Sequence, residues 1–340
     1  MFPKYPKGYK SILVIRSNAV SDFRMEMAKR HLIRTGYDVD IITEVPFIKA
    51  SQYDAFICCR PGSEMIEFLK TCLTAEKKVI IDLDDDFAAV PKHNPAYNYT
   101  GPGHVTFLHE LRKMMQVPGV ITTYASEELI NRYKIEGVVI PNCFDEENPA
   151  WELGTHKIDD GMVKIGFTGS LTHREDFKLV KDTLKKLLAE YKNLKICIAC
   201  DFQIHDEFLD TPENQKLFIP GLKYEDYPLS FKHYDILIAP LKDTYFNRAK
   251  SDIKLLEAGA TKTPWVASDL PFYSSWGVGG AIVKKDTSGK IDDWETPLRM
   301  LIEDPKLRQS LGEAGHLKAA TRTSEITCRK WVEMIGILLP

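Results

Sequence analysis

Lys250, Ser251, Lys254 and Glu257 share one run, FNRAKSDIKLLEAGA (Phe246 to Ala260), set between the apolar segments YDILIAP and TPWVASD. The flanking segments read as buried strands, and the run between them as a polar, basic loop opening a helix whose first turn carries Lys250, Ser251 and Lys254. Such a helix mouth suits an anion. Its first N–H groups lack partners within the helix, the dipole places partial positive charge there, and two lysines add full charges. Glu257 follows Lys250 by seven residues, two turns further in, and so reaches a second part of the same ligand. A nucleoside diphosphate is the ligand these residues imply. Lysines four apart are also the common form of a solvated helix face, with Glu257 pairing to one of them. Position decides between the two, because a helix between buried parallel strands turns its mouth to the open edge of the sheet.

A second group of chemically able residues lies in the first half. The strand KVIID runs into Asp82, Asp84, Asp85 and Asp86, and a carboxylate at the carboxyl end of a parallel strand stands where α/β sites form. Asp84 or Asp85 could orient a hydroxyl or act as a base. Arg24 begins the first helix and would point into a cleft if the first strand–helix junction faces one; otherwise it is a solvated helix arginine.

The elements that must position these groups alternate along the chain. In the first half SILVIRS, VDIIT, AFICCRP, KVIID, GVITTYAS and GVVIPN read as strands. Helices are expected at about 22–34, 63–73, 105–115 and 127–133. The pattern breaks at Pro141-Asn142 and passes through the polar DEENPAWELGTHKIDDG. It then resumes with VKIGFTGS, a helix at about 176–191, LKICIACD, FIPG, YDILIAP, the lysine-bearing helix, PWVASD and AIVKK. A helical tail at 294–320 contains Pro305, and a last helix at 324–339 could dock on either half. Strands alternating with helices imply parallel pairing through right-handed crossovers. Two Rossmann-like, doubly wound parallel-sheet domains facing an interdomain cleft are therefore expected. The first is residues 1–145, with 324–340 docked back on it, and the second is 146–323.

Composition agrees with a two-domain globular protein. The chain has 340 residues, 44% hydrophobic and 27% charged, which argues against disorder or a fibre, and its net charge of -3 gives no global pull toward nucleic acid. Seven cysteines show no zinc-like pairing; Cys58-Cys59, Cys197 and Cys200 sit on or beside apolar runs, so reduced thiols and a cytoplasmic location are expected. The start, MFPKYPKGYK, lacks the apolar middle of a signal peptide, and no run is long enough to span a membrane.

With the order IGFTGS, THRED, FIPG, YDILIAPL, KSDIKLLEAGA, TPWVASD in view, the second half resembles the retaining glycosyltransferases of the GT-B fold, family 4 or "group 1". In the first half GVITTYASEELINRY and VVIPNCFD resemble the end of that family's acceptor domain. The resemblance implies a nucleoside diphosphate sugar as co-substrate, taken as UDP-linked, with no cofactor and no metal. It also implies transfer to a hydroxyl acceptor with retention. The family signature is Glu, seven residues, Glu. Glu257 matches the second and binds ribose, whereas Ala249 stands at the first. Asp243 or Asn247 might stand in for that missing carboxylate, though neither is at the matching position. Lys250 and Ser251 would hold the diphosphate, Gly169 and Ser170 would approach the phosphates, Arg174 would neutralise the leaving group, and His173 would donate a hydrogen bond. Lys250, Lys254 and Arg174 are the cations fixed around the leaving group. The family places a first-domain histidine near the donor, for which His104 ranks above His109. The first loop, RSNAVSDFRME, lacks the glycines that family members often carry.

Two rivals follow. Ala249 and the missing glycines suit a catalytically silent GT-B module that binds nucleotide or glycan. Asp82-Leu83-Asp84 has the Asp-x-Asp form by which GT-A enzymes bind metal and nucleotide sugar, but a GT-A enzyme would leave the second half unexplained. The acceptor is open: glycan, lipid-linked glycan, polysaccharide, protein, small metabolite and modified DNA base all carry hydroxyls.

Overall fold

The structure, a computed structural model, describes residues 10–16, 22–43, 49–199, 201–284 and 292–340. The first nine residues, Ser17–Ser21 of the first strand–helix loop, Cys200, and Lys285 at the end of AIVKK lie outside the described residues. The chain forms two compact units. One comprises Met1–Cys143, Ala249–Ser251 and Ser324–Pro340, and the other Phe144–Arg248 and Asp252–Thr323.

The first unit holds a six-stranded parallel sheet of β1 (Ser11–Arg16), β2 (Asp38–Ile42), β3 (Ala55–Cys59), β4 (Lys78–Leu83), β5 (Val120–Tyr124) and β6 (Val138–Val139). Their order is β2-β1-β3-β4-β5-β6. Successive side chains of a strand face opposite sides, so a run apolar throughout must be covered twice. Ile12 and Val14 pack with Met25 and Leu32 of the helix Asp22–Arg34, and with Trp331 and Ile335 of the helix Arg329–Leu338. Leu13 and Ile15 pack on the other face with Leu69 and Leu111, from the helices Ser63–Thr74 and Val105–Met115.

The second unit repeats the scheme with β7 (Val163–Thr168), β8 (Leu194–Ala199), β9 (Lys216–Ile219), β10 (Ile236–Ala239), β11 (Trp265–Ala267) and β12 (Gly280–Ile282). These parallel strands are ordered β12-β11-β10-β7-β8-β9. Ile165, Phe167, Ile236 and Ile238 face Leu184 and Leu298 on one side, whereas Leu237, Ala239 and Trp265 face Leu255 and Leu256 on the other. Strand order reverses between β1 and β3 in the first unit and between β7 and β10 in the second. In such sheets ligands bind beyond the carboxyl ends of the strands at that reversal.

Three expected helices are divided, the last of them, at 324–339, into Ser324–Thr327 and Arg329–Leu338. The stretch at 176–191 becomes Arg174–Phe177 and Lys181–Glu190, because Asp176 and Phe177 are both buried and the Asp176 carboxylate is drawn inward to accept Lys242 N at 2.9 Å. The tail divides into Glu295–Glu303 and Pro305–Ala319. Pro305 is a first-turn proline, and Asp304 Oδ1 caps the second helix by accepting from Lys306 N and Leu307 N at 2.9 and 3.0 Å. The six described cysteines are buried and free of disulfides. Among the described residues no helix is long and apolar enough to cross a membrane.

Lys157 staples the second unit. Its Nζ donates to the carbonyls of Gly154, Phe231 and Thr261, each at 3.0 Å, and to Thr263 Oγ1 at 2.6 Å. Burial pulls the ammonium down to about 7, with Asp235 opposing. Four oxygens within reach of three N–H donors favour the charged form. Lys157→Met should therefore destabilise this unit by about 2–3 kcal/mol, because it strands three carbonyls and a hydroxyl; urea titration followed by tryptophan fluorescence measures it.

Candidate functional site

At the reversal in the second sheet, β7 ends and the chain turns through Gly169 and Ser170. A Cβ on residue 169 would lie 3.0 Å from the Phe167 ring and 3.2 Å from His173 Cβ, so glycine lets the turn lie this close to the strand end without either neighbour giving way. His173 Nδ1 lies 3.0 Å from Asp176 Oδ2. Asp176 Oδ1 accepts from Lys242 N at 2.9 Å and from Asn247 Nδ2 at 3.3 Å. One buried carboxylate thus ties the loop after β7 to the loop after β10 and brings His173 and Asn247 together. Asp176, hidden in THRED, is the residue that sequence alone did not single out.

Arg174 turns to the neighbouring strand end instead. Its Nε and Nη2 donate to Asp201 Oδ2 and Oδ1 at 2.9 and 3.1 Å, and Asp201 also caps the helix Phe202–Asp206. Asp243 is exposed and held by both nitrogens of the Arg248 fork.

Lys254 and Glu257 lie on the helix Ile253–Ala260. Lys254 Nζ stands 5.0 Å from the centroid of Phe167, over the ring. Glu257 is buried, and its Oε2 accepts from the Tyr227 hydroxyl at 3.0 Å; that hydroxyl lies 3.3 Å from Thr168 Oγ1 at the end of β7. Burial pushes the Glu257 carboxyl up to about 7 against the Tyr227 hydrogen bond and Lys254, which pull it down. Burial likewise raises the Tyr227 hydroxyl, reinforced by Glu257, so Tyr227 stays a donor. Tyr227 lies thirty residues from Glu257 in sequence, and no local pattern links the two.

Lys250 and Ser251 do not lie in the first turn of that helix. It begins at Ile253 after Asp252, and a short 3-10 turn, Asn247–Ala249, precedes them. The three residues Ala249–Ser251 belong to the first unit, and their contacts show why they leave the helix. Ala249 is 1% exposed within the apolar cluster that contains Phe87 and Phe107. Lys250 Nζ lies 3.6 Å from Asp85 Oδ2, and Ser251 Oγ accepts from Asn142 Nδ2 at 2.9 Å.

In the first unit Arg24 points neither to solvent nor to an open site. Nε and Nη2 bind Asp82 Oδ2 and Oδ1 at 2.8 and 2.7 Å, and Nη1 donates to Ile140 O at 2.8 Å and Asn142 Oδ1 at 3.1 Å. Burial disfavours this guanidinium, but Asp82 outweighs it and raises its pKa. The same contacts remove Asp82 from the Asp-x-Asp alternative, since Thr123 Oγ1 also donates to Oδ1 at 2.6 Å. Among the described residues no group of three or more His, Cys, Asp or Glu side chains could hold a metal ion.

Asp84 and Asp85 share Arg60, at 3.0 Å to Nε and 3.2 Å to Nη2. Burial raises the Asp84 carboxyl, and Asp85 adds to this, while Arg60 opposes it. Arg60 ends β3 in the left-handed region, φ 53°, a conformation few non-glycine residues hold and one that frequently marks functional sites. Its signal was the Arg-Pro-Gly that closes the strand, since the following proline bars the ordinary helical conformation. His104 caps a helix: Nδ1 accepts from Phe107 N at 3.0 Å, the ring lies edge-on to Phe107, and Nε2 lies 3.4 Å from Ser63 Oγ. His109 is exposed on the helix Val105–Met115.

Residues 163–302 match the family model described as "Glycosyl transferases group 1". No curated protein sequence matches the chain. Solved structures match over nearly its whole length. HepE of Anabaena, in complex with UDP and glucose, is 14% identical with a TM-score of 0.68, covering 96% of this chain and 100% of its own. Sucrose-phosphate synthase from Thermosynechococcus elongatus is 12% identical with a TM-score of 0.65, covering 97% and 99%. A putative UDP-N-acetylglucosamine 2-epimerase from Listeria monocytogenes is 7% identical with a TM-score of 0.59, covering 96% of each chain. At these identities the likeness shows the fold, which is GT-B with two six-stranded parallel sheets. With the match over 163–302 it supports a glycosyltransferase.

Proposed function

We propose that the protein transfers a sugar from a nucleoside diphosphate sugar, UDP-linked, to a hydroxyl acceptor, with retention and without a metal. The observation that carries this is Glu257, buried one turn into a helix that opens at the reversal of the second sheet and oriented by Tyr227. It lies inside the segment matched by the glycosyltransferase group 1 model, and HepE is a neighbour solved with UDP-glucose. Glu257 accepts from the ribose hydroxyls. The diphosphate lies at the mouth of the helix, and Gly169 and Ser170 approach it by their backbone. As the sugar–phosphate bond breaks, negative charge grows on the diphosphate. Lys250, Lys254 and, once released from Asp201, Arg174 are the cations assigned to it; a charge fixed before the reaction is worth most. Asp84 and Asp85, held by Arg60, orient the acceptor hydroxyl. Six buried free thiols suit a reducing compartment, and we place the reaction in the cytoplasm.

Donor affinity should depend on pH with a defined sign. Glu257 accepts ribose hydroxyls best as the carboxylate, and in the free protein that form dominates only above about 7. The pyrophosphate of a UDP-sugar carries constant charge across this range, so UDP-glucose should bind about ten-fold more weakly at pH 6 than at pH 8. In Glu257→Gln that slope should vanish. A wild-type affinity flat between these pH values would remove Glu257 from the donor site.

One observation favours a catalytically silent nucleotide-binding module: the residue at the position of the family's first glutamate, Ala249, is buried in an apolar cluster. Incubation with a panel of nucleotide sugars separates the two. Slow donor hydrolysis establishes the enzyme, whereas binding without turnover across a broad acceptor screen establishes the module.

A further inference from the structure

Asp252 stands where a side chain ordinarily caps a helix, yet its carboxylate caps nothing. Leu255 N and Leu256 N bond to its backbone carbonyl at 2.9 and 3.1 Å, not to its side chain. Oδ2 instead accepts from Trp276 Nε1 at 2.6 Å and from Arg322 Nη1. Both partners are fixed in the second unit. Trp276 is buried edge-on against Trp265, and Arg322 closes the 3-10 turn Ala320–Arg322, with its carbonyl accepting from Phe144 N at 3.3 Å. A carboxylate beside an uncapped helix mouth works against any anionic ligand there. It repels the ligand, and it is itself the preferred occupant of the first-turn N–H groups.

We propose that Arg322 is a positioning residue for nucleoside diphosphate binding. By pinning Asp252 sideways against Trp276 and neutralising it, Arg322 keeps the mouth of the helix Ile253–Ala260 open to the diphosphate. This rests on the assignment of that mouth to the diphosphate made above. Without Arg322 one of the two tethers is gone. Asp252 then turns to the first-turn N–H groups and fills the mouth with negative charge. Arg322 touches neither the nucleotide nor the sugar in this scheme, so its effect passes entirely through Asp252.

The test is equilibrium binding of UDP, by titration calorimetry, to the full chain and to Arg322→Met, Asp252→Ala and the double variant, with thermal unfolding recorded for each. Arg322→Met should bind UDP about 5- to 20-fold more weakly. The double variant should return to within about two-fold of Asp252→Ala, which itself should bind at least as tightly as wild type. Wild-type affinity in Arg322→Met overturns the inference. A double variant as weak as Arg322→Met does so too, because a merely structural arginine is not rescued by removing its partner. Should Arg322→Met fail to fold, Asp252→Ala alone decides, and weaker binding than wild type overturns the proposal. A wild-type chain that does not bind UDP instead sinks the diphosphate assignment, and this inference with it.

Discussion

Arg24→Met should destabilise the first unit by about 3–5 kcal/mol, the cost of leaving a buried carboxylate without its cation. Asp82 is fully buried and, among the described residues, keeps the Thr123 hydroxyl and the Cys59 thiol, at 2.6 and 3.3 Å, once the guanidinium is gone. Methionine fills much of the space but satisfies neither Ile140 O nor Asn142 Oδ1. The abandoned carboxylate is then left in an apolar setting without its cation. Adding Asp82→Leu should recover most of the loss, because a well-packed apolar pair replaces an ion pair at little net cost. Hydrogen exchange of the β1, β3 and β4 amides measures both variants. Unchanged protection in Arg24→Met would mean that the pair contributes nothing.

That pair also shows what could and could not be read from the chain. The two parallel sheets were legible because SILVIRS, AFICC, KVIID, IGFT and DILIA are apolar on both faces and alternate with helical stretches, a pattern that only covered strands in crossover units satisfy. Where Arg24 points was not legible, since its partner lies 58 residues away and is fixed by sheet order, which periodicity does not encode. The capping role of His104 was not legible, because capping residues are ordinarily Ser, Thr, Asp or Asn. The Lys-Ser-Asp run looked like a first helical turn because nothing in it breaks a helix. Tertiary contacts of Ala249, Lys250 and Ser251 with the first unit override that local preference. Glu257 was legible through its spacing, but Tyr227, which sets its hydrogen bonding, carried no pattern of its own. Legibility thus followed range: helical and strand periods were readable, while partners brought together by the sheets were not.

Lys250→Ala should lower turnover of the nucleotide sugar by about 30- to 1,000-fold, the 2–4 kcal/mol expected for removing one preorganised charge from a developing leaving group. Preorganisation is the physical content of the Lys250 geometry. Its side chain is three-quarters buried, with Nζ 3.6 Å from Asp85 Oδ2, and Asp85 is in turn held by Arg60 at 3.2 Å. A lysine restrained in this way has already lost much of its rotamer freedom before the donor arrives, so less is lost on binding. Lys250 lies three residues before the first helical residue, Ile253. The loss should appear mainly in kcat, since the charge matters most when the diphosphate becomes a leaving group, with a smaller rise in KM. Asp85→Asn releases the lysine and also alters the carboxylates assigned to the acceptor, so the restraint is read from the double variant: Lys250→Ala/Asp85→Asn should lose less kcat than the product of the two single losses. Equal turnover in wild type and Lys250→Ala would remove this lysine from the chemistry and leave Arg174 and Lys254 as the cations to test.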